Sequence, residues 1–472
     1  MSSPAINSIG GFTQLAPSED LLVRAASRTV RGEFQFDVVC RDEPAALLTD
    51  ARLEFPGFTT LARRVGLPEG GARFVGRLTR PGFNALRVTA THRGQTLSGR
   101  DFFLQPEPTP LRTGGEVGYY VFLGCGDYPK ITGREAHPLG SWTLAQWHQL
   151  LEWMGCHGMN RLWVLLNGYT LAYPSRRYPA LRDRHARNAR DNILRALIDH
   201  GHAHGVQTHL MLTTDGHARD FCHAHPAAAR LDATGQPGPD FGLALEHPLT
   251  RQYIFDVLDE VLELYPNADG IAVHPTESDP DRFNPESIAA CHTETGRDLC
   301  AMPLEDRRIW HNQTFARFLR EFGARARARN PSLDLVMANC WWQDEQPAIY
   351  RNELPPEWRI AVWHYAWEDP SSTRWPIYPW VEAFGASRLL YMPASQSYLF
   401  PADPGLVMDR HIGTDRLIST AASLGVRSTI YFAGWDFPTE EGRLLDALLA
   451  RHPAGGPIGA LYENYFAARA GR

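Results

Sequence analysis

The chain has 472 residues, 43% of them hydrophobic and 21% charged, with a formal net charge of −6 at pH 7. That length accommodates two or three domains and a large core. The slightly negative balance argues against a nucleic-acid partner, and no apolar run reaches the roughly 18 residues of a membrane helix. Of the 47 basic residues only Lys130 is a lysine, a bias that reads as base composition. The N-terminus lacks a basic segment followed by an apolar one, so no signal peptide is expected. The seven cysteines, Cys40, Cys125, Cys156, Cys222, Cys291, Cys300 and Cys340, are odd in number and scattered, unlike a disulfide framework. Cys125 and Cys340 stand in apolar runs as small core residues. A cytoplasmic location is the expectation.

Residues 17–107 alternate in strand fashion: Leu21–Ala25, Gly32–Val39, Arg52–Phe55, Arg73–Leu78 and Asn84–Ala90, separated by Gly, Pro and Asp clusters. Short alternating strands without a long helix predict an antiparallel sandwich of immunoglobulin-like type. The Pro-rich segment Gln105-Pro-Glu-Pro-Thr-Pro-Leu111 is stiff and reads as a linker. The division expected is 1–113 for the sandwich and linker and 114–472 for a second domain.

Beyond residue 114, buried-strand runs alternate with helical periodicity, the pattern of βα units on a parallel sheet. Eight strands are expected: Val117–Leu123, Arg161–Leu166, Gln207–Leu212, Gly270–Val273, Leu333–Ala338, Ile360–Trp363, Leu389–Met392 and Ser428–Ala433. Helices are expected over Thr143–Met154, capped by Ser141, and over Asn188–His204, Thr250–Tyr265, Trp310–Arg329 and Met408–Leu424. Eight units suit an α/β fold, a (β/α)8 TIM barrel with insertions, preceded by the N-terminal β-sandwich. A doubly wound sheet is the rival, but no G-x-G-x-x-G follows the first strand.

In such a barrel, residues just past the strand C-termini form the active-site mouth. The sharpest example is Asn267-Ala-Asp-Gly-Ile-Ala-Val-His-Pro-Thr-Glu-Ser-Asp279, where a short apolar strand turns polar at His274 and presents Glu277. The other strand ends present Asp127, Tyr169, Asp215 and His217, Asn339 with Trp341, Trp342 and Asp344, His364 with Tyr365, Trp367 and Glu368, Tyr398, and Trp435 with Asp436. Aromatic faces stack on the apolar faces of sugars while Asp, Asn and His bond to hydroxyls, so a glycoside or oligosaccharide substrate is expected.

Glycoside hydrolysis needs two carboxyl groups flanking the scissile bond, about 5–5.5 Å apart for direct attack and about 6.5–9.5 Å for attack through water. Glu277 is the expected general acid, with Glu368 or Asp344 as base or nucleophile. Asp215, His274, Asn339, His364 and Asp436 would hold sugar hydroxyls; Trp341, Trp367 and Trp435 would stack on the ring. For each acid the bland reading is a surface ion pair, and for each ring a packed core residue.

The run Gly270-Ile-Ala-Val-His-Pro-Thr-Glu277 resembles the fourth-strand segment of the α-glucuronidase and related glycosidase barrels. In that family the acid is a Glu beyond strand 4, and an Asp and a Glu beyond later strands serve the activated water. The resemblance thus implies the order Glu277, Asp344, Glu368, and a sandwich before the barrel. His274 stands where that family would carry a Lys to recognise a uronate. The β-N-acetylhexosaminidase type is a second distant likeness, but Thr276 stands where its Asp-Glu pair has Asp. The retaining group with Asn-Glu after strand 4 and Glu after strand 7 fits poorly, since strand 7 ends in Pro393-Ala-Ser-Gln-Ser397.

Two other classes compete. A metal-dependent barrel hydrolase could use His217, Cys222, His223 and His225, or Cys291 with His292, because imidazole and thiolate are zinc ligands. Their spacing matches no ligand pattern, so neither metal nor cofactor is expected. A carbohydrate-binding barrel without catalysis would keep the aromatic ring and dispense with Glu277. No G-x-S-x-G turn marks a serine nucleophile. Neither nucleic acid nor membrane is expected as a partner; a homo-oligomer is compatible with the sequence.

Overall fold

The structure is a computed structural model. It describes residues 21–28, 33–40, 43, 45–54, 63–66, 70–77, 82–105, 115–124, 139–238, 241–275, 282–339, 343, 345–364, 377–393, 418, 421–434, 443 and 446–447. The expected linker over 105–111 lies outside the described residues after Gln105, as do Cys125, Cys340 and most of the expected helix Met408–Leu424.

The N-terminal part contains strands β1 (Leu21–Arg28), β2 (Glu33–Cys40), β3 (Thr49–Glu54), β4 (Arg63–Gly66), β5 (Ala72–Arg77), β6 (Gly82–His92) and β7 (Gln95–Gln105). They form two antiparallel sheets, ordered β1-β2-β5-β4 and β3-β6-β7. This is the strand order of the seven-stranded immunoglobulin-like sandwich. Buried residues from both sheets fill the space between them, among them Leu21, Val38 and Phe74 from one and Ala51, Val88 and Ala90 from the other. Strands β4 and β7 were not resolved by alternation alone: β4 is only 4 residues long, and β7 carries Gly99 and Asp101 within its 11 residues.

The remainder closes into an all-parallel barrel of eight strands: β8 (Val117–Phe122), β9 (Arg161–Leu165), β10 (Gln207–Thr213), β11 (Gly270–His274), β12 (Asp334–Asn339), β13 (Trp358–His364), β14 (Leu389–Pro393) and β15 (Ser428–Phe432). Each expected strand is present, with ends moved by one or two residues. The rival doubly wound sheet is excluded, because β15 pairs with β8 and leaves no edge. Alternation splits each strand. Tyr120, Phe122, Trp163, Leu165, Met211, Ala272, Val336, Ala338, Ala361 and Trp363 fill the interior. Tyr119, Leu162, Leu210, Ile271, Leu335 and Val362 face the surrounding helices.

The helix layer includes α1 (Leu144–Cys156), α2 (Arg187–Asp191), α3 (Leu194–Ala203), α4 (Arg219–Ala224), α5 (Pro248–Leu264), α6 (Pro285–Thr295), α7 (Leu304–Arg329), α8 (Gln346–Glu353) and α9 (Ile377–Phe384). Helix α1 buries Trp147, Leu151 and Met154 at helical spacing. Its cap is Thr143, not Ser141: the Gln146 amide donates to the Thr143 hydroxyl, and the Gln146 side chain accepts from the Thr143 amide at 2.9 Å. The single helix expected over Asn188–His204 is two. Asn192 turns left-handed at φ 51°, and the Asn188 side chain accepts from the Leu194 amide at 2.8 Å, starting α3 afresh.

The N-terminal end of the barrel is closed by charge. Arg359 bonds Glu116 through two nitrogens, at 2.8 and 3.1 Å, and Asp334 at 2.8 Å. Arg161 also donates to Glu116 at 2.8 Å, and His209 lies 2.9 Å from Asp334. Burial alone would push the Asp334 carboxyl up; bonding and attraction to His209 and Arg359 outweigh it and hold the group at about 2. The network pairs the carboxylates Glu116 and Asp334 with cations and imidazole at the end of the barrel whose role is stability.

Candidate active site at the C-terminal mouth

At the opposite end, aromatic and imidazole rings converge from separate strands. The Tyr120 hydroxyl of β8 lies 3.1 Å from Nδ1 of His274, the last residue of β11. The His274 ring meets Trp363 of β13 edge-on at 4.8 Å between centroids, and Trp363 meets Phe432 of β15 at 4.4 Å. Small residues share this cluster: Ala272, Ala338 and Ala361 stand on three consecutive strands among the inward-facing rings.

The loops add a second tier. His217, after β10, lies 5.5 Å from the His274 ring and 5.7 Å from Tyr169, which follows β9. Tyr169 also meets Phe241 edge-on at 6.1 Å and carries the Arg219 guanidinium 5.1 Å over its face. Two of these loop residues have left-handed backbones, His217 at φ 57° and Phe241 at φ 53°. The Ala218 amide donates to the Phe241 carbonyl at 3.0 Å, so the two positions are joined. Such conformations are uncommon for side chains of this bulk, and they persist where surrounding structure over-determines them.

Asp215 is buried beside this tier, 3% exposed. It accepts from the Thr214 hydroxyl at 3.1 Å, and its carbonyl accepts from the Leu243 amide at 2.9 Å. Asn167 extends the β9–β10 ladder with its side chain, donating to the Thr213 carbonyl at 3.0 Å and accepting from the Thr213 amide at 2.9 Å. The two loops are thereby seated on the barrel rim by polar groups that have found partners.

Residues 276–281 lie outside the described structure, but their C-terminal anchor is described. Arg282 is 1% exposed and makes a two-pronged pair with Glu246, both contacts at 2.7 Å. Ser287 at the start of α6 donates to the same carboxylate at 2.7 Å, and the Arg282 amide donates to His311 Nε2 at 3.3 Å. Burial raises the Glu246 carboxyl, but the Arg282 charge and hydrogen bonds, with Ser287, carry it down to about 2. The loop after β11 therefore runs between two fixed points, His274 at the mouth and Arg282 in this buried pair.

Among the sequence-derived candidates, His274 and Asp215 occur together at the mouth, with Tyr169 and His217. Asn339 does not face the interior. Its amide donates to the Gln346 side chain of α8 at 2.9 Å, and Gln346 donates in turn to Asn312 of α7 at 3.2 Å. Alternation explains this: Val336 and Ala338 point inward, so Asn339 points to the helix layer. His364 is the final residue of β13, paired in register with Pro393. Glu277, Asp344, Glu368, Trp341, Trp367, Trp435 and Asp436, with Asp127, Trp342, Tyr365 and Tyr398, lie outside the described residues.

Sequence reasoning passed over Tyr120, Trp363, Phe432 and Phe241. The first three were absorbed into strand runs, yet strand parity would have aimed each into the barrel near its C-terminal end. Phe241 carries no sequence signal of its own. His217, Cys222, His223 and His225 do not converge on one centre: the Cys222 thiol points to the Phe241 carbonyl at 3.5 Å, His223 packs on Phe241 and His225 on Phe221. Cys40, Cys291 and Cys300 are free thiols among the described residues.

No protein-family model matches the chain, and neither does any curated protein. Solved structures do. A β-N-acetylhexosaminidase from Bacteroides fragilis is 12% identical with a TM-score of 0.48, over 79% of this chain and 73% of that one. A chitobiase from Flavobacterium johnsoniae is 11% identical with a TM-score of 0.46, over 86% of this chain and 55% of that one. The α-L-fucosidase isoenzyme 2 of Paenibacillus thiaminolyticus is 15% identical with a TM-score of 0.49, over 70% of this chain and 48% of that one. These likenesses are distant, and this chain spans about half the length of the second and third.

Proposed function

We propose that this chain is a glycoside hydrolase that cleaves O-glycosyl bonds with paired carboxylates at the C-terminal mouth of the barrel. The observation that carries the reading is the convergence of Tyr120, Tyr169, His217, His274 and Trp363 with the buried Asp215 at that one rim. Flat rings beside directed hydrogen-bonding groups suit a sugar, whose faces are apolar and whose edges are hydroxylated.

Glu277 is assigned the general acid. It stands three residues after His274 in the sequence, and three peptide units reach at most about 11 Å. An apolar, ring-lined setting favours the protonated carboxyl that an acid catalyst requires. Glu368 and Asp344, which follow β13 and β12, are assigned the second role, one as base or nucleophile. His274 and Asp215 would orient hydroxyls, while Trp341, Trp367 and Trp435 would stack on the ring, with Asp436 as a further polar contact. Asn339 belongs to the helix-layer amide network and supports the rim from behind.

A panel of nitrophenyl glycosides, followed by the matching alkyl glycosides, tests the reading and names the sugar. One glycoside should be turned over. Glu277→Gln should slow the poor-leaving-group substrate by about 10²–10⁴-fold while leaving binding intact. Unchanged turnover in that variant would remove Glu277 from the mechanism. Sugar binding without turnover by the unaltered chain would turn the assignment to a non-catalytic carbohydrate binder.

A further inference from the structure

A second group of ligand-type side chains lies on the outside of the barrel, between α1 and α3. Glu152 on α1 and His200 and His204 at the end of α3 offer ligand atoms that all lie within 4.8 Å of one another. His200 and His204 are four residues apart, so they share one helix face, and their rings are 4.6 Å apart. Glu152 Oε1 reaches to 3.3 Å from His200 Nε2. That nitrogen is shielded from solvent and, despite the short separation, makes no hydrogen bond.

Two features hold the group in place. The His148 ring, one turn earlier on α1, stacks on His200 at 3.7 Å with the planes 7° apart, which fixes the plane of that imidazole. Gly155 lets the two helices close: a Cβ there would fall 2.4 Å from the His204 carbonyl oxygen. Helix α3 ends at this point, so its C-terminal carbonyls add negative potential beside the three ligands.

We propose that Glu152, His200 and His204 bind one divalent transition-metal ion of the zinc class, which clips α1 to α3, with water completing the coordination. Two imidazoles and one carboxylate are the donor set that zinc, nickel and copper take, whereas calcium and magnesium prefer oxygen throughout. Tetrahedral zinc with bonds of about 2.0–2.1 Å sets its ligand atoms about 3.3 Å apart. The exposed Glu152 and His204 side chains can close from the present spacing by rotamer adjustment. His148 is a positioning residue. The cluster sits where α1 leads into β9 and α3 into β10, the N-terminal end of the barrel, so the metal's role is structural rather than catalytic.

The test uses the full chain with any histidine tag removed, dialysed against zinc and assayed for bound metal, with titration calorimetry for affinity. One equivalent should bind the unaltered chain and raise its melting temperature. His204→Ala, with an unchanged circular dichroism spectrum, should lose that equivalent and the thermal shift. Glu152→Gln should weaken binding by at least about tenfold. Glycosidase turnover, read in parallel, should not follow zinc occupancy, which keeps this site and the mouth separately testable. Zinc binding that is absent in the unaltered chain, or equal in it and both variants, overturns the proposal.

Discussion

Across the barrel interior, the Tyr120 hydroxyl of β8 and Nδ1 of His274 of β11 lie 3.1 Å apart, joining strands that are not neighbours in the sheet. The contact fixes the ring from which the chain enters the Glu277 loop. With Tyr120 donating, Nδ1 is the acceptor and the proton of a neutral imidazole sits on Nε2. Tyr120→Phe takes one partner from a buried ring nitrogen and should cost about 1–3 kcal/mol in denaturant unfolding. On the proposed function it should also raise the KM for the glycoside, because the His274 ring loses one of the contacts that orient it. Equal binding in Tyr120→Phe and the unaltered chain would assign the pair to packing alone.

The Arg282–Glu246 pair should behave as an anchor. Arg282→Ala leaves a buried carboxylate without its cation, a change that typically costs about 3–5 kcal/mol. The double variant Arg282→Met with Glu246→Gln removes both charges and should recover most of that loss. If the pair only stabilises, turnover per folded molecule survives in the double variant. If it also positions the loop after β11, turnover falls although stability returns. Chemical denaturation together with kcat distinguishes the two, and the second outcome is expected, since the buried pair fixes the chain shortly after β11.

Much of this architecture is legible in the sequence because its signals are local. Eight apolar runs, each followed at once by polar residues, mark parallel strands covered on both faces, and the alternation of the first hundred residues marks a sandwich. What escaped the sequence depends on partners distant along the chain. Thr143 rather than Ser141 caps α1 because Gln146 can reciprocate. The helix over Asn188–His204 breaks because the Asn188 side chain captures the Leu194 amide, a bond that periodicity does not encode. Asn339 was grouped with the mouth by its place at a strand end, while parity sends it to Gln346 on the other face. Parity aims Tyr120 and Trp363 inward, but that their rings meet His274 follows only from barrel closure, which brings β8, β11 and β13 to the same rim.

Stability should fall on acidification, and the sign follows from two carboxyls. Glu246 and Asp334 are both held at about 2 in the folded chain, below their ordinary values of 4.5 and 3.8. A carboxyl depressed on folding contributes stability that is full above its unfolded value and is lost as pH falls through its folded value. The contribution should thus be intact above about pH 5 and should decline between about pH 5 and 2, by a few kcal/mol per group. Urea midpoints measured across that window check it. Glu246→Gln, though less stable at neutral pH, should show a shallower acid limb than the unaltered chain.

Gly118 is fixed by the closure of the barrel. A Cβ at this position would fall 1.7 Å from the Arg161 carbonyl oxygen, on the strand that pairs with it. The obstacle is backbone at the first register pair of the β8–β9 ladder, which cannot move aside without opening the start of that seam. Gly118→Ala should cost more than the roughly 1–3 kcal/mol typical of overpacking and should lower the melting temperature sharply. A melting temperature within a degree or two of the unaltered chain would mean that the seam yields more readily than a closed ladder should.

His217 and Phe241 offer a test of whether strain at the mouth serves binding. Both hold left-handed backbones, at φ 57° and 53°, where a residue with a Cβ is disfavoured by about 1 kcal/mol and glycine is not. Their rings nevertheless build the second tier, His217 beside His274 and Tyr169, Phe241 beside Tyr169 and His223. Replacing either by glycine relieves the backbone but removes the ring. If the strain is retained for substrate contact, His217→Gly should keep its unfolding free energy within about 1 kcal/mol of the unaltered chain while losing affinity for the glycoside. If instead the rings are held for packing, stability should drop by several kcal/mol and affinity should follow it only through the folded fraction. His217→Ala separates the terms further: it removes the same ring without the backbone relief, so it should match His217→Gly in binding and be the less stable of the two.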